Sequence, residues 1–131
     1  MKVLLDTSGF IKHFIGIPEF VEKVAASSEV LMSPIVLGEL MFGFRNGSRF
    51  HENSNALDRF LGKDVVQLVP VNEVTADRYS RIALQLQRQG TPIPSNDMWI
   101  AAQAMEHGAE LLTADRHFER ISGLVCSVFG K

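Results

Sequence analysis

The chain has 131 residues, 46% of them hydrophobic and 21% charged, which suits one globular domain (residues 1–131) with a core of its own. A net charge of −2 argues against a basic nucleic-acid binder, and the single cysteine, Cys126, excludes an internal disulfide and suits a reducing compartment. No apolar run approaches the roughly 20 residues of a membrane span, and Asp6 interrupts the first apolar run before a signal-peptide core can form; the expected location is the cytoplasm, with no membrane partner.

Val3-Leu4-Leu5 is apolar without polar alternation, the pattern of a strand buried on both faces. It runs straight into Asp6, followed by Thr7, Ser8 and Gly9. Asp6 then has two readings: a helix N-cap, or an acid delivered to a ligand at the carboxyl end of an open α/β sheet. Short helices are expected from Gly9 to about Phe14 and from Glu19 to about Ala26. Val30-Leu31-Met32 is a second buried strand. Ser33 and Pro34 then start a helix as N-cap and first helical residue, which Asn46-Gly47 stops. A further helix covers about Phe50 to Leu61, with Gly62 as its stop. Val65 to Val69 reads as the third strand. Asn72 caps a long helix with Tyr79, Ile82, Ala83 and Leu86 inward and Gly90 in the position of a C-terminal glycine. Ser95 is expected to cap a helix from Asn96 to about His107. Leu111-Leu112-Thr113 is the fourth strand, and Val125 to Phe129 the fifth after a short helix near Phe118. Strands alternating with helices imply βαβ units, hence a three-layer α/β/α fold around a mainly parallel five-stranded sheet.

Four acids share one position in that scheme. Asp6 ends the first strand. Glu39 lies in the second turn of the helix leaving the second strand, among Ile35, Val36, Phe42 and Gly43, so it interrupts an apolar face, which is costly for an unpaired acid. Asp97 lies in the first turn of the helix that feeds the fourth strand, and Asp115 just past that strand's end. Crossover geometry carries all four towards the carboxyl edge of the sheet. Two carboxylates about 4 Å apart repel by about 4 kcal/mol at an effective dielectric near 20, and the local sequence offers only Arg116 and Lys12 as counter-charges. A divalent cation compensates better, and an all-oxygen donor set favours Mg²⁺ or Mn²⁺ over zinc. Setting four acids aside leaves 11 against 13 Lys and Arg, so net charge does not decide the partner. Each acid also has a structural reading: Asp97 favours a helix dipole, and Asp115 can cap the turn after it.

Together, Leu5-Asp6-Thr7-Ser8, Gly38-Glu39-Leu40-Met41-Phe42-Gly43, Asn96-Asp97-Met98-Trp99-Ile100-Ala101-Ala102 and Leu112-Thr113-Ala114-Asp115-Arg116-His117-Phe118 resemble the PIN-domain nucleases, and within them the VapC-type toxins of bacterial toxin–antitoxin pairs. The loop Gly90-Thr91-Pro92-Ile93 adds to the resemblance, which spans the whole chain in order. It implies a metal-dependent endoribonuclease that hydrolyses RNA with Mg²⁺, Mn²⁺ being able to substitute. Asp6, Glu39, Asp97 and Asp115 fall on the family's acidic quartet as catalytic residues and metal ligands, with Thr7, Ser8 and Thr113 as supporting hydroxyls. It further implies a homodimer and a cognate antitoxin whose peptide tail covers the site. In-line hydrolysis would leave a 5′-phosphate and a 3′-hydroxyl.

A metal-free route would use two histidines, with His117, close to Asp115, and His13 as candidates; His13 shows no partnering pattern, and His117 suits a structural role or a substrate contact. Arg78, Arg81, Gln85 and Arg88 fall on one helical stripe that would suit phosphates or a solvated face. Trp99 suits core or dimer contact better than base stacking. The non-enzyme alternative is a catalytically silent PIN fold that works through its protein partner.

Overall fold

The computed structural model describes residues 1–130. Its elements are β1 (Lys2–Leu5), α1 (Thr7–Phe14), α2 (Pro18–Ala25), β2 (Glu29–Met32), α3 (Pro34–Arg45), α4 (Phe50–Leu61), β3 (Val66–Leu68), α5 (Glu73–Gln89), α6 (Ser95–Glu106), β4 (Glu110–Thr113), a 3₁₀ turn (Arg116–Arg120) and β5 (Cys126–Val128). All five strands are parallel, in the order β3-β2-β1-β4-β5.

The three central strands carry the core. Val3, Leu4 and Leu5, then Val30, Leu31 and Met32, then Leu111 and Leu112 are all essentially inaccessible. Neighbouring strand residues point to opposite faces, so burial of consecutive residues means both faces are covered. That is the three-layer arrangement expected from the apolar runs. The two edge strands differ: Leu68 on β3 is 53% exposed.

Strand order places the site. The chain moves from β1 outward to β2 and β3, then returns through α5 and α6 to lay β4 on the other side of β1, with Leu4 opposite Leu111 and Leu5 opposite Leu112. The direction of winding therefore reverses between β1 and β4, where open α/β sheets leave a crevice at the carboxyl ends of their strands.

Local sequence starts and stops most helices as expected. The Ser33 hydroxyl accepts from the Ile35 amide, with Pro34 at the first helical position. Asn72 and Thr75 form a reciprocal cap for α5, which ends on Gly90 at φ 71°, a left-handed conformation that suits glycine. Two expectations are corrected. Ser95 is not a cap: the rigid extended Pro94 stands there, and α6 begins at Ser95 with no side-chain cap bond. The face of α3 around Glu39 is also less apolar than its composition suggests, because Val36 and Leu40 take the buried positions while Phe42 stands 71% exposed.

Candidate active site

Asp6 is both a cap and a converging acid. Its Oδ1 accepts from the Gly9 amide at 2.7 Å and so starts α1. The Ser8 hydroxyl donates to the same oxygen at 2.9 Å, and Thr113 Oγ1 donates to Oδ2 at 2.6 Å. Ser8 and Thr113 are themselves fixed, Ser8 Oγ by the Ala114 amide and Thr113 Oγ1 by the Asp115 amide. This network staples the end of β1 to the end of β4.

Glu39 reaches the same place from α3. Its two oxygens accept from the Thr7 hydroxyl and, at 3.1 Å, from the Asn96 side-chain amide at the start of α6. Asp97, next in the chain, meets His117 Nε2 through Oδ2 at 2.7 Å. The other ring nitrogen, Nδ1, lies 2.9 Å from Oδ1 of Asp115, which also accepts from the His117 amide and so caps the 3₁₀ turn. Donating to both acids at once requires the doubly protonated ring; a neutral ring donates to one and accepts from the other only if that carboxyl holds a proton. Asp97, Asp115 and His117 offer ligand atoms within 4.8 Å of one another, a group able to hold a metal ion.

The four acids expected at one edge are linked there through Thr7, Ser8, Asn96, Thr113 and His117, with Asp97 and Asp115 in the group able to hold an ion and Asp6 and Glu39 outside it. Of those links, Asn96 had no assigned role in the sequence, and His117 entered only as a structural residue, a substrate contact or a metal-free acid–base candidate, not as a bridge between Asp97 and Asp115. The one hint was spacing: Asn96 abuts Asp97, and His117 follows Asp115 by two residues. The basic stripe on α5 lies elsewhere. Arg81 pairs with Asp77, Gln85 bonds the backbone of Arg120 and Ser122, and Arg78 lines a hollow with Met1 and Lys2 at the opposite edge of the sheet. Trp99 stacks on Tyr79 with ring centroids 4.1 Å apart, a packing contact between α5 and α6.

Crowding shows in the electrostatics. Burial pushes the Asp6 carboxyl up to about 6, against the pull of the Thr113, Gly9 and Ser8 donors, and the Asp97 charge adds to the rise. Asp97 is also raised, first by burial, with His117 opposing and Glu39 and Asp115 reinforcing. Folded-state values above the unfolded ones mean that the folded chain holds protons the unfolded chain gives up. This contribution to stability is complete below about pH 4 and is lost as pH climbs through about 6. For Asp6, the rise to about 6 corresponds to about 3 kcal/mol. In EDTA, the Asp6→Asn chain is therefore expected to lose less Tm than the unsubstituted chain between about pH 4 and pH 7. Equal losses in the two chains would overturn this account.

The chain belongs to the PIN-domain family, whose model matches residues 3–124. Within that family its relatives are VapC proteins. It is 33% identical over 129 residues to ribonuclease VapC1 of Haemophilus influenzae (strain R2866), covering 95% of each chain. It is 28% identical over 127 residues to the tRNA(fMet)-specific endonuclease VapC of Salmonella typhimurium, again covering 95% of each. The fold superposes on the structure of VapBC-1 from nontypeable Haemophilus influenzae with a TM-score of 0.85, at 28% identity and with 98% of both chains covered.

Proposed function

We propose that this single PIN domain is a Mg²⁺- or Mn²⁺-dependent endoribonuclease that hydrolyses RNA phosphodiester bonds, acting in the cytoplasm as the toxin of a toxin–antitoxin pair. The observation that carries the reading is the meeting of Asp6, Glu39, Asp97 and Asp115 at the β1–β4 crevice, in a chain related to VapC ribonucleases. The donor set fits a hard cation: carboxylate oxygens with one imidazole, two of the carboxyls being raised in pKa by burial and, less, by neighbouring acids, which a bound cation would oppose. Asp97 and Asp115 would hold the ion most directly, with Asp6 and Glu39 completing the acidic wall. When bound, such an ion lowers the pKa of a coordinated water and offsets the charge of the phosphodiester.

The chain's own groups do the positioning. Thr7 and Asn96 occupy both oxygens of Glu39 and fix its direction. Ser8, Thr113 and the Gly9 amide hold Asp6 in one rotamer. His117 sets the separation of Asp97 and Asp115. The hydroxyls at the site, Thr7, Ser8 and Thr113, are each committed to a carboxylate as orienting groups, so the attacking group in this reading is water. An antitoxin partner is supported by the likeness to a VapBC complex, and a homodimer is the assembly proposed with it. Catalysis, rather than a silent binding role, is favoured because binding a partner does not call for four acids gathered at one sheet edge.

The test is incubation of the purified chain with total RNA and Mn²⁺ or Mg²⁺, followed by mapping of the ends. Cleavage abolished by EDTA, with 5′-phosphate and 3′-hydroxyl ends, is the expected result. Ends carrying a 2′,3′-cyclic phosphate would sink the hydrolytic mechanism, and metal-independent cleavage would sink the metal role.

A further inference from the structure

Helix α1 leads away from the acids into a second kind of surface. Thr7, in its first turn, touches Glu39; Phe10, His13 and Phe14 lie one and two turns on, with His13 about 9 Å along the axis from Thr7. A groove between α1, α3 and α4, lined by Thr7, Glu39, Phe10, Phe14 and Phe44, opens from the acids. It shares Phe10 and Phe14 with a neighbouring hollow whose other walls include His13, Arg59, Phe60 and Lys63.

That second hollow is cationic. It has no carboxylate in its lining. Arg59 and Lys63 are exposed, and among the described residues neither forms an ion pair, although Asp58 and Asp64 adjoin them in sequence. Lys63 Nζ lies 6.0 Å from the centroid of the Phe60 ring and the His13 ring 5.5 Å from it, so both hold to one aromatic floor. Burial, and then the Lys63 charge, lower the His13 pKa, so His13 offers a phosphate a neutral ring N–H while Arg59 and Lys63 carry the charge. In a chain of net charge −2 this is a local excess of positive charge. Beside it, Phe14 stacks on Phe10 and remains 52% exposed.

We propose that His13, Arg59 and Lys63 form a subsite for the backbone phosphates of the RNA segment flanking the cleaved bond, with a base of that segment stacked on Phe14. The proposal rests on the nuclease reading above and names where its substrate lies. Cations without carboxylate partners are the means by which a protein takes up a polyanion. Exposed aromatic faces beside them are the means by which it holds unstacked bases without reading their identity. An acidic site in a net-negative protein otherwise repels RNA, so a cationic anchor a short way along the same helix gives the substrate its direction. A peptide partner would use the apolar groove without needing the uncompensated Arg59 and Lys63.

The experiment measures anisotropy of a fluorescein-labelled single-stranded RNA 12-mer in EDTA across a salt series, with steady-state cleavage measured in Mn²⁺. The chains compared are unsubstituted, Arg59→Gln/Lys63→Gln, Phe14→Ala and, as a remote control, Arg81→Gln. The double variant is expected to bind about tenfold more weakly, with a log–log salt slope smaller by about 1.4. Its KM should rise to match while kcat stays within about twofold. Phe14→Ala is expected to weaken binding with the salt slope unchanged, and Arg81→Gln to leave both unchanged. Unaltered affinity and slope in the double variant, with cleavage intact in the unsubstituted chain, would overturn the subsite alone. Binding without any cleavage would instead count against the nuclease reading while leaving the subsite to be judged on affinity. No RNA binding by the unsubstituted chain would overturn both.

Discussion

The Asp97→Asn chain is expected to remain folded and to lose RNA cleavage by at least about 100-fold. Groups that only orient the ligands of a metal site typically cost 10–100-fold when removed, so a residue placed to hold the ion itself sets that range as a lower bound. The fold should survive because asparagine keeps the shape of aspartate and can still hydrogen-bond His117 Nε2, now 2.7 Å from Oδ2. The exchange also removes a half-buried charge that Glu39 and Asp115 oppose. In EDTA the variant should therefore melt no lower than the unsubstituted chain. The stabilisation conferred by Mn²⁺, which depends on preferential binding to the folded state, should largely disappear. Cleavage within tenfold of the unsubstituted chain, with the Mn²⁺ effect on Tm intact, would remove Asp97 from the proposed site. A collapse in Tm without metal would give it a structural role instead.

A single methyl group at position 9 is expected to be the most damaging small change to the fold. A Cβ on Gly9 would stand 2.2 Å from the carbonyl oxygen of Leu112 and 3.1 Å from Asp6 Oδ1. The first of these is backbone of a central strand and cannot swing aside, so α1 or β4 must move. Alanine is the better helix former by up to about 1 kcal/mol, but overpacking of this kind costs about 1–3 kcal/mol or more. The clash wins. A net loss of about 2 kcal/mol would lower Tm by roughly 5–10 °C in a domain of this size. It would also loosen the Gly9 amide and Thr113 hydroxyl that hold Asp6, so cleavage should fall further than stability explains. Thermal melts and cleavage rates of Gly9→Ala check both parts; a Tm within about 1 °C of the unsubstituted chain would mean that the close approach of α1 to β4 is not a constraint.

Much of the fold was legible because its signals are local. Three strands announce themselves as unbroken apolar runs, and the structure buries Val3–Leu5, Val30–Met32 and Leu111–Leu112 completely. Asn72, Pro34 and Gly90 act where their own chemistry puts them. Misreadings arose where a neighbour competed for the role. Pro94 displaced Ser95 as the residue before α6 because its ring fixes an extended backbone there. Phe42 turned outwards because Val36 and Leu40 already occupied the buried side of α3. On α5 the sequence left phosphate contact and a solvated face both open, and two of the four stripe residues have partners within the chain, Arg81 with Asp77 and Gln85 with the backbone of Arg120 and Ser122.

The carboxylates themselves were visible in the chain, and so was the edge they share, because an acid after a parallel strand or at the start of a helix leading into one has only one end of the sheet to occupy. Of the side chains that join them, the hydroxyls of Thr7, Ser8 and Thr113 were expected from the family resemblance; which acid each would hold, and the parts of Asn96 and His117, were not. Thr113 donates to Asp6 across 107 residues, and His117 stands between Asp97 and Asp115 through a contact spanning 20. Those pairings exist because β4 lies beside β1 in a particular register, Leu5 opposite Leu112. Register comes from packing both faces of the sheet at once, which no local propensity encodes. The sequence determined that this chain would carry acids to a sheet edge; tertiary structure decided that they would be held there by hydroxyls, an amide and one imidazole.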